Sequence, residues 1–213
     1  LWNPTSFIIG GGLTHHWFQE TFAHADEVAG QAEGKSVYDI LDARASELPP
    51  GSEKLFFVPH LGGRACPANT DLKGAWFGFS WTHRREHFYR SVLESIAYDQ
   101  YLQFQAMKAT YPEANVAEVT AYGGGAKSAL WNQIRADVLN RELMRASHSG
   151  AAMGSAIVAA SRTIYGDLSE ATGSMVRVES AVSPRPGMAA RYDEAYDRFI
   201  GALRRRGYVG RHG

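Results

Sequence analysis

The stretch Ala121–Asn140, AYGGGAKSALWNQIRADVLN, decides how this chain folds. The segment before it, Ala117–Tyr122, is β-rich, and Gly123, Gly124 and Gly125 end the strand. From Ser128 onward the pattern is helical, and Ser128 is the natural N-cap because its hydroxyl can accept from a free first-turn N–H. A strand that passes through glycines into a helix start lets a ligand approach the backbone closely and offers it unpaired N–H groups at the positive end of the helix dipole. Glycine at position 125 would leave room for such an approach and would also permit a positive φ.

Two phosphate-binding signatures can be tested against this turn. A Walker A loop needs glycine immediately before the Lys-Ser pair and another five residues earlier. Here those positions hold Ala126 and Ala121, so the motif is excluded. A dinucleotide fingerprint fits at Gly123 and Gly125 but has Ser128 in its third glycine place. Glycine content alone leaves two readings open: a nucleotide-binding turn, or a tight turn with no ligand.

Working outward, apolar residues in TSFIIGGGLTHHWFQETFA predict a short opening strand, then a helix carrying Leu13, Trp17, Phe18 and Phe22. KSVYDILDARASEL reads as a second helix, KLFFVPHL as a strand, GGRACPANTDLKG as a loop and GAWFGFSW as another strand. In that last strand Trp76, Phe77, Phe79 and Trp81 are expected in the core. A long helix follows, with Thr82 as its N-cap and Tyr89, Val92, Leu93, Ile96, Ala97, Tyr101 and Phe104 on one face. ELMRAS predicts a strand and GAAMGSAIVAAS a small-residue helix. Residues 167–187 read as a surface excursion, and the last helix presents Tyr192, Tyr196, Phe199 and Leu203. Strand alternating with helix in the second half predicts an α/β layered domain with partly parallel pairing.

The 213 residues fit one domain, and a 45% hydrophobic content is enough for a core. Basic and acidic residues balance at 22 each, which gives no electrostatic reason to expect nucleic acid or a membrane surface. No apolar run reaches the roughly 18–20 residues of a membrane helix. The single cysteine, Cys66, excludes an internal disulfide, suits a reducing compartment and has no base indicated beside it. Arg204, Arg205 and Arg206 read as a solvated helix end. His15 and His16 are adjacent and cannot share a helix face, so no metal pair is expected, and the other histidines lack ligand spacing. Lys127 is expected to face solvent. Asp137, on the helix of the opening stretch, is expected to bond backbone or an arginine.

The stretch AYGGGAKSALWNQIRADVLNREL resembles a signature of the FGGY carbohydrate kinases, xylulokinase-like members above all. GAAMGSAIVAA is similar to the family's next segment, and FVPHLGGRACPANTDLKGAWFGFSWTHRREHFYRSVLESIAYD to its apolar strand, G-x-R-x-x-P loop, glycine-containing strand and long helix. The likeness runs from about residue 5 to 205. It implies an α/β, actin-like (ribonuclease-H-like) ATPase domain, with a mixed sheet flanked by helices. Residues 1–213 would be the C-terminal, nucleotide-binding domain, and the sugar would bind mainly to an N-terminal domain not on this chain.

By the same resemblance Gly124, Gly125, Ala126 and Ser128 would line the adenosine and α-phosphate side of ATP, with Gly12 and His16 near the nucleotide. Arg64 would hold the loop at the interdomain cleft. The implied cofactors are ATP and Mg²⁺, and the implied reaction is γ-phosphoryl transfer to a pentulose, by default xylulose. A cytoplasmic location and a homodimer are implied too. The family's base, an aspartate, and its phosphate loop would lie upstream of Leu1. Asp71, Asp99 and Asp137 are not expected to replace that aspartate, so the chain alone is expected to be inactive. A catalytically silent, regulatory nucleotide-binding protein is the competing expectation, and an NAD-binding oxidoreductase module stands behind it.

Overall fold

The computed structural model describes residues 8–65, 68–113, 116, 118–147 and 150–209. Helices α1 (Gly11–Phe22), α2 (His24–Glu33) and α3 (Val37–Ser46) precede strands β1 (Phe56–Val58) and β2 (Ala75–Phe77). Then come α4 (Arg85–Thr110), β3 (Glu118–Ala121), α5 (Ala129–Leu139) and β4 (Glu142–Ala146). α6 (Ala151–Thr163), α7 (Leu168–Met175), β5 (Val178–Val182) and α8 (Met188–Arg205) complete the chain.

β1 and β2 pair antiparallel, with Phe57 opposite Trp76. In the second sheet β4 is central. It runs parallel to β3, across the α5 crossover, and antiparallel to β5. The mixed sheet and its parallel β3–α5–β4 unit match the expectation from alternating strand and helix. Residues 167–187, expected as a surface excursion, instead form α7 and the edge strand β5. β5 is mostly exposed, so it lacks the alternation that marks a half-buried strand; only its valines signal it. The opening strand falls largely on residues outside the described ones, as does Cys66.

α4 is the spine. Its apolar periodicity predicts one buried face, yet every residue from Tyr89 to Asp99 is buried. A helix covered all round must satisfy its polar side chains internally. Ser95 Oγ accepts from Phe57 N of β1 at 3.1 Å, and Ser91 Oγ from Trp76 Nε1 of β2 at 3.0 Å. Arg90 donates to Ala45 O at the end of α3 (2.8 Å) and to the Tyr192 hydroxyl of α8 (3.0 Å). Glu94 accepts from Arg90 Nε at 2.8 Å, Gly51 N at 3.0 Å and Ser52 Oγ at 2.8 Å. That last pair holds a turn in which Ser52, Glu53 and Lys54 all have positive φ. From α8, Tyr192, Tyr196, Phe199 and Leu203 are buried against this core, as the sequence predicts.

Three local expectations are corrected. The predicted strand GAWFGFSW stops at Phe77, because Gly78 turns at φ 84 with its backbone against Lys54 O; Phe79 and Trp81 are therefore exposed and not core. α4 begins at Arg85, not after Thr82, whose hydroxyl instead pairs with Ser80. On α1 the buried face is Thr14, His15 and Phe18, while Leu13 and Phe22 are exposed.

Removing the Glu94 carboxylate leaves a buried arginine unpaired, a defect that typically costs about 3–5 kcal/mol. Glu94→Ala is expected to lose that much in equilibrium urea unfolding followed by tryptophan fluorescence. Glu94→Gln, which still accepts hydrogen bonds, is expected to lose less.

Candidate functional site

A cavity of about 990 Å³ opens between α1, α3 and the turn that joins β3 to α5. Its walls come from four places. α1 supplies Gly12 and His15, α3 supplies Tyr38, Asp39 and Asp42, and the turn supplies Gly124, Gly125, Lys127 and Ser128. Arg90 and Arg185 close one side. The size is that of a ligand site, and polar groups converge on it from separate elements.

The turn is pinned from behind by α5. Ser128 caps the helix, accepting from Trp131 N at 2.9 Å as expected. Asn132 Nδ2 donates to Ala126 O at 2.8 Å, and Arg135 Nη2 to Gly125 O at 3.0 Å. Arg135 also lies 4.3 Å over the Trp131 ring, and its burial lowers its pKa to about 10. Asp137 is wholly buried and binds Arg185 through backbone N (2.7 Å), Nε (2.9 Å) and Nη2 (2.7 Å), the arginine bonding expected of it.

The three glycines have three different reasons. Gly123 takes φ 82, a conformation side chains rarely adopt. Gly125 has an ordinary φ; a Cβ there would stand 2.6 Å from the Trp131 ring, so a core contact and not a ligand forbids a side chain. Gly124 has neither constraint among the described residues, none of which lies within 4 Å of its Cβ direction, and it lines the cavity. Gly12 is likewise open and lines the opposite wall.

Three helix starts reach this cavity, and they differ in their free N–H groups. α3 has a full capping box, in which Ser36 and Asp39 satisfy each other's backbone. α5 is capped by Ser128. α1 begins at Gly10 with no side-chain cap among the described residues, so among them its first-turn N–H groups, next to Gly12, are open to an anion.

Of the predicted site residues, Gly12, Gly124, Gly125 and Ser128 are brought together on the cavity wall, and Ala126 is buried directly behind it. His16 is not on the wall. It is exposed, pairing with Gln19 and Glu20 and lying 3.5 Å from the hydroxyl of the lining residue Tyr38, while its neighbour His15 lines the cavity. Arg64 lies outside the lining, in a loop closed by its backbone pairing with Asn69 at 2.9 and 2.8 Å. Lys127 is exposed at the rim.

Sequence reasoning missed Asp42, Tyr89 and His15. Asp42 Oδ1 accepts from the Tyr89 hydroxyl at 2.7 Å and Oδ2 from Ser128 Oγ at 2.6 Å. His15 Nε2 is 2.7 Å from the same tyrosine oxygen. Burial raises the Asp42 pKa, opposed by its bonds to Ser128 and Tyr89. Burial, helped by the Arg135 charge, lowers His15 to about 4, so this histidine is neutral at physiological pH. These residues come from different helices, and no spacing rule links them.

Among the described residues no group of three His, Cys, Asp or Glu side chains could hold a metal ion. Asp39 Oδ2 takes the Ser36 backbone and hydroxyl protons, and both Asp42 oxygens accept hydroxyls. A Mg²⁺ ion takes one or two carboxylates and keeps several waters; Asp39 and Asp42 are held by Ser36, Tyr89 and Ser128, and we assign neither to the metal. Asp99 is buried with Gln103 as a partner, and Asp71 is exposed in the 61–73 loop.

The roles of the glycines separate by stability. Gly125→Val, forced against the buried Trp131 ring, is expected to cost about 1–3 kcal/mol. Gly124→Val is expected to stay within about 0.5 kcal/mol of the parent. Thermal denaturation of both variants checks the contrast.

Residues 1–162 match the model of the FGGY family of carbohydrate kinases, C-terminal domain. A gluconokinase from Bacillus licheniformis is 29% identical over 199 residues, covering 92% of this chain and 39% of that protein. A xylulose kinase from Staphylococcus epidermidis is 34% identical over 154 residues, covering 71% of this chain and 29% of its own length. The crystal structure of a ligand-bound xylulose kinase from Lactobacillus acidophilus superposes with a TM-score of 0.76 at 23% identity, over 92% of this chain and 38% of that one. This chain therefore spans less than two fifths of the length of these relatives. The fold is the actin-like α/β ATPase fold with a mixed sheet flanked by helices. By the match over its first 162 residues, the chain belongs to the FGGY family of carbohydrate kinases and carries that family's C-terminal domain.

Proposed function

We propose that the cavity between α1, α3 and the Gly123–Ser128 turn is the nucleotide half of an ATP-dependent carbohydrate kinase. The observation that carries this reading is the pairing of one uncapped helix start, at Gly10–Gly12, with a glycine face at Gly124 that is open for no structural reason. The electrostatics orient the ligand. Asp39 and Asp42 on α3 repel phosphate, so the phosphate chain lies toward the free N–H groups of α1, within reach of Lys127. Ribose and base then lie along α3 and the glycine turn. ATP supplies the γ-phosphoryl group; these residues bind and orient it. Positioning and charge stabilisation are most of what phosphoryl transfer asks of a protein.

The sugar, and the base that takes the proton from its hydroxyl, belong to segments outside these residues. Both carboxylates of the cavity accept hydrogen bonds from neighbours, Asp39 from Ser36 and Asp42 from Tyr89 and Ser128, and we assign neither the role of base. Xylulose is our first choice of substrate; gluconate and ribulose are equally supported by the relatives that resemble this chain. We assign no Mg²⁺ ligand and derive no step through the metal. We place the protein in the cytoplasm, in line with its single cysteine. Among the described residues no helix is long and apolar enough to cross a membrane. A homodimer is part of the same proposal and is read by light scattering.

Two measurements test this reading. Gly12→Val places a branched side chain into the cavity at a position with no steric conflict of its own. It is expected to abolish ADP binding in calorimetry while leaving the melting temperature unchanged; a variant that binds like the parent would sink the assignment. With Mg-ATP and a panel of xylulose, ribulose and gluconate, the 213-residue chain is expected to release no sugar-dependent ADP. Turnover of about 1 s⁻¹, ordinary for a kinase, would contradict that. A full-length protein that binds ATP without phosphorylating any sugar would favour the regulatory alternative.

A further inference from the structure

We infer that Asp42 is a positioning residue for the nucleotide: through Ser128 it fixes the glycine turn against which adenosine lies. The inference rests on the nucleotide reading of the cavity. Its basis is a set of hydrogen bonds whose directions are forced.

Ser128 Oγ accepts from Trp131 N as the cap of α5, so its own proton must go elsewhere; it goes to Asp42 Oδ2 at 2.6 Å. The only proton of the hydroxyl is then committed to Asp42. Asp42 Oδ1 takes the Tyr89 proton at 2.7 Å. Because Tyr89 has only one proton to give, its oxygen must accept from His15, which fixes Nε2–H as the neutral tautomer. The relay thus runs from α1 through α4 to α3 and on to the cap of α5. It joins the two walls that carry Gly12 and Gly124.

Only an ionised carboxylate can accept both hydroxyl protons at once. An amide would present N–H to one of them and force that hydroxyl to turn. No lysine or arginine bonds this carboxylate among the described residues, and Asp39 adds like charge to its surroundings. A half-buried anion with two neutral donors and no cationic partner among the described residues is an arrangement that costs stability. Its return is geometric: it holds the Ser128 side chain in one rotamer, and with it the end of the strand-to-helix turn. The neighbouring carbonyls of Gly125 and Ala126 are already held by Arg135 and Asn132. Asp42 supplies the remaining tether, from across the cavity.

The test uses the full-length protein and ADP as the probe. Asp42→Asn and Ser128→Ala are each expected to weaken ADP binding by about tenfold, the scale of one hydrogen bond to a charged group. The double variant is expected to be no weaker than either single one, because both cut the same tether. In steady-state kinetics KM for ATP rises and KM for the sugar does not. Ser128→Thr, which keeps the hydroxyl and the cap, restores ADP affinity. A merely structural role would lower the melting temperature and leave the ADP Kd of the folded protein unchanged; that result, or additive losses, overturns the inference. If Asp42→Asn does not fold, Ser128→Ala against Ser128→Thr decides by the same criterion. A parent that binds no ADP overturns the nucleotide reading and this inference together, whereas a parent that binds with unaffected variants overturns the inference alone.

Discussion

The constraint on which the rest of the structure depends is that α4 is buried on every side between Tyr89 and Asp99. A surface helix can leave its polar face to water. This one cannot, so Ser91, Ser95, Arg90 and Glu94 take partners on the elements that cover them, while the Tyr98 hydroxyl has none among the described residues. Ser95 fixes β1, Ser91 fixes β2, and Arg90 with Glu94 fixes the end of α3, the 51–52 turn and α8. Hydrophobic contact would bring these elements together without choosing their register. The hydrogen bonds supply the register, because a shift of one residue would leave a buried donor or acceptor unmatched at about 1–3 kcal/mol each.

The cavity inherits its shape from that spine. Tyr89, at the start of the buried run, directs its hydroxyl to Asp42, and Leu93 accepts through its carbonyl from Trp131 Nε1 at 3.1 Å. α3 and α5 are therefore both referenced to α4, one on each side of the space between them. The same Trp131 ring lies beneath Gly125 and beside Arg135 and His15. One indole thus joins the core to the turn, the turn to its arginine clamp, and the clamp to the α1 wall.

How much of this could be read from the sequence follows from the range of each interaction. The β3 strand, the α5 helix with its Ser128 cap, and the buried stripe of α8 rest on spacing within one segment, and all were legible. α2 and β5 were not. α2 is a short, polar helix anchored by Asp26, whose partners Arg44 and Arg85 lie far along the chain, and β5 is an exposed edge. At the site, Gly12, Gly124, Gly125 and Ser128 were legible as a glycine-and-cap pattern. Adjacent helix positions differ by about a quarter turn, so spacing alone does not separate His15 from His16; only the packing of α1 on α4 decides that His15 turns inward. Asp42 carried no local signal: its meaning comes from Tyr89 and Ser128, at 47 and 86 residues' separation.

The glycine turn shows why a motif can be recognised correctly while its residues are explained wrongly. Read as a string, Gly123, Gly124 and Gly125 look like one device for admitting a ligand. In space they answer three separate demands: a left-handed backbone angle, an open face on the cavity, and an indole ring. For the middle one, a side chain at Gly124 would meet nothing among the described residues within 4 Å. The same holds for Gly12 across the gap. Gly12 and Gly124 thus line one cavity from different elements, with a helix start that has no side-chain cap on one side and a tethered turn on the other.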